Sequence, residues 1–454
     1  MNFSRQVRDS VHGFIQWSKE ELDLVETQAF QRLRRIHQLA CAQYVYPGAT
    51  HTRFEHSLGV FHVAGRLGRE LKLTEDELKL VRLAGLLHDI GHGPFSHVSE
   101  DTLERYCDRA KLCIGEKDKI HERVTADVIR FDAGIARHLS GARRDEVVRL
   151  LDQGHGDRVL KDIVSGTLDA DKMDYLLRDS LYCGVRYGMY DLDQLIISLT
   201  TMPGDRGREM VVDEDGTHAV EQFVLAKYYI YSQVYAHKVR LVTDAMINRA
   251  LRLGIDEDEV EELRQVYAYD GSERYIAEYL QWDDEKLLRD FTNKEKYDGT
   301  KVCELLTRLR QRRLYKQAYH MQVANVPDAA TRDALDGVEP DDKRLAALEE
   351  AVVAALAKKP HEVIISVYEI KNVKRAAHSE RSVLVKSEAG PRPLEEESVL
   401  FKSINEKMAE KYLDCYVAAD YLDEHDKSEL RKKVRGVVDA ELPRVFCEQE
   451  EGVK

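Results

Sequence analysis

At 454 residues the chain has room for one large domain or two ordinary ones around a sizeable buried core. A formal charge of −14 argues against a protein that coats nucleic acid or an anionic membrane, since either partner needs a broad cationic face. Only 9 prolines interrupt a composition rich in helix formers, and 7 scattered cysteines without a C-x-x-C spacing read as reduced thiols, so the expectation is a mainly α-helical cytoplasmic enzyme.

The N-terminal Met1-Asn2-Phe3-Ser4-Arg5 lacks an apolar signal core, and no apolar run approaches the roughly 20 residues of a spanning helix, so no membrane partner is expected. After a polar lead containing His12-Gly13, Ser18-Lys19-Glu20-Glu21 has the form of a capping box opening a helix. The next predicted helix carries Phe30, Leu33 and Ile36 at apolar spacing, leaving Arg32, Arg34 and Arg35 to project elsewhere, most simply into solvent. A loop from residue 46 then runs into a helix reaching about Leu71. His56 falls at its start, three residues after Arg53, so an imidazole and a guanidinium flank one cavity or the histidine is simply structural.

Thr74-Glu75-Asp76-Glu77 is a second capping box, and the helix it opens ends in Leu86-Leu87-His88-Asp89. Gly91, Gly93 and Pro94 break the helix there, with His92 and His97 following. A buried His-Asp pair with breakers behind it suggests a pocket for a divalent first-row metal. The dipeptide alone is weak, because His425-Asp426, inside a charged run, is a twin that reads as solvated surface.

His121-Glu122 at a helix entrance offers a general acid and an orienting carboxylate, or an exposed pair. Asp171, Tyr175 and Asp179 recur at four-residue spacing and form one polar stripe on a helix, beside Lys172, with ordinary exposed charge as the alternative. Asp215-Gly216 has the form of a hairpin turn, and a long helix with Lys227, Tyr235, His237 and Lys238 follows. Residues 255–358 read as charged helix including the basic run 308–316, residues 363–368 and 382–385 as strands, 390–393 as a loop, and two helices close the chain. The expected division is a core over 1–250 and a helical lobe with short strands over 251–454.

Taken together, His56, His88-Asp89 and Asp171 follow the H…HD…D order of the HD-domain metal phosphohydrolases. Gln31-Arg32-Leu33-Arg34, Gln38-Leu39, Phe54-Glu55-His56-Ser57-Leu58-Gly59, the run His88-Asp89-Ile90-Gly91-His92-Gly93-Pro94-Phe95-Ser96-His97 and Asp171-Lys172-Met173-Asp174-Tyr175 resemble the deoxynucleoside triphosphate triphosphohydrolases of that group. The resemblance implies a helical HD fold with a small β-hairpin and a mixed α/β C-terminal lobe. It implies His56, His88, Asp89 and Asp171 as ligands of a divalent metal (Mn, Fe, Mg, Zn, Co or Ni), His92 and His121 as catalytic groups, and Glu122 as the partner of His121. Arg53, Lys172 and Lys227 match triphosphate contacts. Gln38, Leu39, Tyr175, Asp179 and Tyr235 match sugar or neighbouring contacts, and Gln31, Arg34 and Arg312, with Glu26 in place of an aspartate, match an allosteric nucleotide site.

The implied reaction converts a dNTP and water to deoxynucleoside and inorganic triphosphate by attack of metal-activated water on the α-phosphorus, in a homo-oligomer (dimer or tetramer). Gln194 replaces a family cation, and Asp213, Glu214 and Asp215 stand where a basic strand meets a second activating nucleotide, so weakened dNTP activation is expected. The alternatives are an HD-type single-strand nuclease or phosphodiesterase, for which the acidic composition lacks a cationic track, and a non-catalytic nucleotide- or nucleic-acid-binding regulator.

Overall fold

The computed structural model describes residues 5–112, 120–152, 157–204, 207–338, 342–370, 382–387, 390–403, 410–420 and 422–447. The chain is mainly helical with small sheets, and it divides into two compact units, neither of which is a continuous stretch. The first comprises Met1–Val234, Glu261–Leu287 and Val373–Glu406; the second comprises Tyr235–Val260, Leu288–Asn372 and Lys407–Lys454. A sequence-based expectation of one boundary at 250 does not trace this interleaving.

In the first unit both capping boxes form. Ser18 Oγ accepts from the Glu21 amide and the Glu21 carboxylate accepts from the Ser18 amide, and Thr74 and Glu77 repeat the arrangement. The centre is built from helices Arg53–Glu70, Glu75–Leu87 and Ala170–Cys183, which bury Val60, Phe61, Val63, Leu86, Leu87, Met173 and Leu176 completely. Gly59 permits the closest approach: a Cβ there would fall 1.8 Å from Asp174 Oδ1. Strands β1 (Arg5–Asp9) and β2 (Gly13–Trp17) pair antiparallel with Asp9 opposite Gly13.

Several local expectations change. The helix carrying Phe30 ends at Arg32 and tightens into a 3-10 turn over Leu33–Arg35. Arg32 is buried, not solvated: its Nε donates to the Trp282 carbonyl at 2.7 Å and its guanidinium lies 5.3 Å from the Tyr279 ring centre. The hairpin consists of β3 (Leu199–Gly204) and β4 (Gly207–Val212), closing beside Gly204 and Gly207, while Asp215-Gly216 belongs to a 3-10 turn that starts helix Thr217–Ile230. β4 continues into parallel pairing with β7 (Leu384–Val385), which pairs with β8 (Arg392–Pro393), so the expected loop at 390–393 contains a strand. The single long helix predicted after the hairpin is two, interrupted by a π-turn over Tyr231–Tyr235.

In the second unit a three-stranded antiparallel sheet has the order β5 (Lys316–Gln322), β9 (Glu410–Val417), β6 (Val363–Ile370). Helices Lys343–Leu356 and Glu424–Cys447 supply Leu348, Val352, Val434 and Val438 to the core against it. Its central strand β9 lies where the sequence reading expects closing helix. Among the described residues no helix is long and apolar enough to cross a membrane.

Candidate active site

Three helix ends deliver the candidate metal ligands. His56 sits in the first turn of helix Arg53–Glu70, His88 caps the C-terminus of helix Glu75–Leu87 with Asp89 next to it, and Asp171 sits in the first turn of helix Ala170–Cys183, where the Asp169 side chain accepts from the Lys172 amide. His56 Nε2 lies 3.0 Å from Asp171 Oδ1 and 3.6 Å from Asp89 Oδ2, and His88 Nε2 lies 3.2 Å from Asp89 Oδ1. Ligand atoms of His56, His88 and Asp171 all fall within 4.8 Å of one another.

The outer nitrogens are fixed. His56 Nδ1 donates to Asp174 Oδ2 at 2.8 Å and His88 Nδ1 donates to the Gly85 carbonyl at 2.9 Å, so both rings turn an Nε2 lone pair into the cluster. His88 Nε2 is buried without a hydrogen-bond partner. Two imidazole lone pairs beside two carboxylates, one of them an orphaned buried acceptor, fit a divalent cation. The carboxylates draw positive charge into the cluster: burial opposes charge on His56, but hydrogen bonds to Asp171 and Asp174 lift its pKa to about 10, so Nε2 holds a proton that a bound cation would displace, and burial raises Asp89 while Arg53, His88 and His92 hold it well below the carboxylate range. The exposed grouping Asp423, His425 and Asp426 has none of this support.

Asp174 is wholly buried. It also accepts from His12 Nε2 at 2.7 Å and from Arg178 Nε and Nη2 at 2.8 and 2.9 Å, and Arg178 reaches Asp9 Oδ2 at 3.0 Å. His12, Asp9 and Arg178 were visible in the sequence only as unassigned polar residues.

Beside the ligands Arg53 is 1% exposed; its Nη1 donates to Asp89 Oδ2 at 2.5 Å, its Nε to Ser96 Oγ at 2.7 Å, and its buried Nη2 has no hydrogen-bond partner. The chain after Asp89 bends through two non-glycine residues in the left-handed region, Phe95 and Ser96, with φ of 62° and 55°. The Phe95 amide donates to Asp284 Oδ1 at 2.7 Å, and Ser96 Oγ donates to the His37 carbonyl at 2.7 Å. Gly93 is needed in this bend, since a Cβ would fall 2.3 Å from the Tyr279 hydroxyl.

This bend gathers His92, His97 and His121 around one carboxylate. Glu100 lies 2.8 Å from His92 Nδ1, 2.9 Å from His97 Nδ1 and 3.1 Å from His121 Nδ1. Burial favours its neutral form, yet His97 and His92 hold it far below the ordinary range. His92 and His121 stack at 4.9 Å. Glu100 is the carboxylate that lies on His121 Nδ1, where the sequence reading expects the neighbouring Glu122, which is exposed. Sequence reading passed over Glu100 because its link to His121 spans 21 residues; only the His97-to-Glu100 spacing, one helical turn, signalled it.

Of the remaining expected residues, Lys172 Nζ contacts Asp169 Oδ2 at 2.6 Å and the Gly166 carbonyl at 3.0 Å. Gln38 and Leu39 are buried, and Asp179 Oδ1 is 2.8 Å from His51 Nε2. Burial and the carboxylates of Asp171, Asp169 and Asp179 push the Tyr175 phenol well above its usual range. Lys227 is half-buried on helix Thr217–Ile230. Glu26 and Arg34 are exposed; Arg34 Nε donates to Gln31 Oε1 at 2.8 Å and Gln31 Nε2 to the Val25 carbonyl at 2.8 Å. Tyr235 and Arg312 belong to the second unit, where Arg240 lies 5.1 Å from the Tyr235 ring centre.

An HD domain profile matches residues 53–179, and an HD associated region profile matches residues 190–434, more than half of the chain. An uncharacterized protein of Methanocaldococcus jannaschii is 30% identical over 398 residues, covering 88% of this chain and 75% of that one. A deoxynucleoside triphosphate triphosphohydrolase SAMHD1 homolog of Dictyostelium discoideum is 31% identical over 332 residues, 69% of this chain and 60% of its own length. The crystal structure of a phosphohydrolase from Bacteroides thetaiotaomicron superposes with a TM-score of 0.70 at 25% identity, covering 91% of this chain and 99% of that one.

Proposed function

The chain belongs to the HD-domain phosphohydrolase family, and on that premise we propose that it hydrolyses deoxynucleoside triphosphates to deoxynucleoside and inorganic triphosphate. The observation that carries the reading is Arg53: a buried guanidinium bonded to the candidate ligand Asp89, with Nη2 lacking a partner, suits a phosphate oxygen held against a metal centre. Similarity to triphosphohydrolases supplies the substrate class.

His56, His88, Asp89 and Asp171 would hold the divalent cation, which when bound acidifies water and offsets phosphoryl charge. Arg53, Lys172 and Lys227 take the charge of the triphosphate, and Gln38, Leu39, Tyr175 and Asp179 the deoxyribose. In the hydrolysis the water oxygen ends on the α-phosphorus, the bond from that phosphorus to the 5′ oxygen breaks, and the departing oxygen takes a proton. His121 or His92 donates it, with Glu100 holding both rings.

The test is incubation of purified protein with Mn²⁺ or Mg²⁺ and each dNTP, each NTP or single-stranded DNA, with products separated. Deoxynucleoside with triphosphate in equal amounts is the expected result. Monophosphate or shortened oligonucleotide without triphosphate overturns it in favour of a nuclease or phosphodiesterase.

A further inference from the structure

A cleft of about 630 Å³ in the first unit takes no part in the proposed reaction. Asp174 separates it from the candidate ligands: His12, on the cleft wall, donates Nε2 to Asp174 Oδ1 at 2.7 Å, and Asp174 Oδ2 takes His56 Nδ1 at 2.8 Å. The His12 ring stacks on His62, with centroids 5.2 Å and planes 27° apart. His62, Arg66 and Arg69 then follow one face of helix Arg53–Glu70 at helical spacing. Burial is the first cause that holds the His62 pKa down, and the groups that act on it next are all basic: His12, Arg66, Arg69 and Arg82. Arg82 is answered by Glu21 at 2.7 Å. Arg66 has Asp193 at 2.6 Å, a residue whose side chain is 83% exposed, and Arg69 makes no ion pair among the described residues. The other acid lining the cleft, Asp191, is exposed and accepts from the Gln194 amide at 2.9 Å.

We propose that this cleft binds a small phosphate-bearing molecule, with the phosphate on Arg66 and His62 and the rest of the molecule along Leu177, Tyr190 and Leu192. In a chain of formal charge −14, basic groups gathered beside a cleft with acids only at its exposed edge call for an anion. The guanidinium fork matches two phosphate oxygens, and neutral His62 adds an N–H. Gln222 gives its Oε1 to the Asp191 amide at 3.0 Å, which leaves its Nε2 to donate. The Arg66–Asp193 pair is a surface contact of little worth, so a doubly charged ligand displaces it. Leu177, Tyr190 and Leu192 are 9% exposed or less and give an organic body an apolar wall, in a volume typical of small-molecule sites. None of the lining residues is a candidate metal ligand or triphosphate contact, and none is among Gln31, Arg34 and Arg312, the positions expected to take an activating nucleotide.

Calorimetry of the full chain with inorganic phosphate, at low ionic strength and without added metal, reads the site. Wild-type protein shows a binding component that Arg66→Gln weakens about tenfold or more and Asp193→Asn tightens about threefold. The first variant loses a charge-assisted contact; the second frees the guanidinium from its competitor. Phosphate held at Arg53 contributes equally in all three proteins, and unchanged Mn²⁺ affinity shows each variant folded with its metal centre intact. Identical isotherms overturn the proposal, as does weakening by Asp193→Asn, which would make the pair a structural tie. Ribose 5-phosphate distinguishes the source of the phosphate: tighter binding than inorganic phosphate, with the same response to both variants, marks an organic phosphate, and equal binding marks the free anion. Ribose binding as well as its phosphate refutes the assignment. If Arg66→Gln does not fold, Asp193→Asn, at an exposed residue, decides alone.

Discussion

Gly59→Ala tests the support of the metal centre without touching a ligand. The added methyl falls 1.8 Å from Asp174 Oδ1, 2.4 Å from its Cγ and 2.5 Å from Arg178 Nη2. Reaching even a 3.0 Å contact moves the carboxylate by about 1.2 Å, enough to stretch the 2.7–2.9 Å bonds to His12, His56 and Arg178 beyond hydrogen-bonding range. Breaking a buried pair of this kind costs about 3–5 kcal/mol. The replacement of glycine inside a helix returns about 1 kcal/mol. The net expectation is a loss of about 2–4 kcal/mol in urea unfolding. Loosening His56 Nδ1 should also weaken Mn²⁺ binding about 10–100-fold by calorimetry. Gly436→Ala is the control, because its methyl meets nothing within 4 Å and sits in helix Glu424–Cys447; it should be neutral or stabilising by up to about 1 kcal/mol. Should Gly59→Ala match wild type in both unfolding midpoint and metal affinity, the supporting role of Asp174 is refuted.

Other outcomes follow from the same geometry. Glu100→Gln should lower kcat about 10²–10⁴-fold and Glu122→Gln only slightly; the reverse order in steady-state kinetics would return the role to Glu122. Asp171→Ala should lose bound metal, measured by elemental analysis, together with turnover, and full activity with full metal content would refute the ligand assignment. Burial, with the neighbouring His12 and Arg66, depresses the His62 pKa from 6.5 to about 3. The unfolded chain therefore binds a proton near pH 6.5 that the folded chain refuses. This contribution to stability is complete above pH 6.5 and is lost as pH falls toward 3, by at most about 2 kcal/mol at pH 5. His62→Phe should flatten that part of the pH–stability curve, and an unchanged curve would contradict it.

What the sequence made legible was local. The Ser18 and Thr74 capping boxes and the placement of His56 and His88-Asp89 at helix ends depend on residues a few positions apart. What it hid depends on partners far along the chain. Strand β9 reads poorly because it carries Asp414 at its centre, and a buried carboxylate argues for a solvent-facing segment until its donors arrive: His320 Nδ1 at 2.7 Å, Gln317 Nε2 and the Tyr416 hydroxyl at 2.8 Å. Arg32 was misplaced in solvent for the same reason, since its acceptor is the carbonyl of Trp282. The Asp215-Gly216 dipeptide carried a real turn signal, spent on a helix entrance instead of a hairpin.

The strained bend at Phe95 and Ser96 bears on how this protein can be cut down. Residues 53–179 contain every candidate metal ligand and the whole histidine cluster, so they look like a portable catalytic module. The amide of Phe95 is nevertheless tied to Asp284, more than 100 residues beyond that segment, while Asp174 depends on His12, which precedes it. Excision would keep the ligands and discard two of the clamps that shape them, so modularity here is a property of the alignment and not of the folded chain.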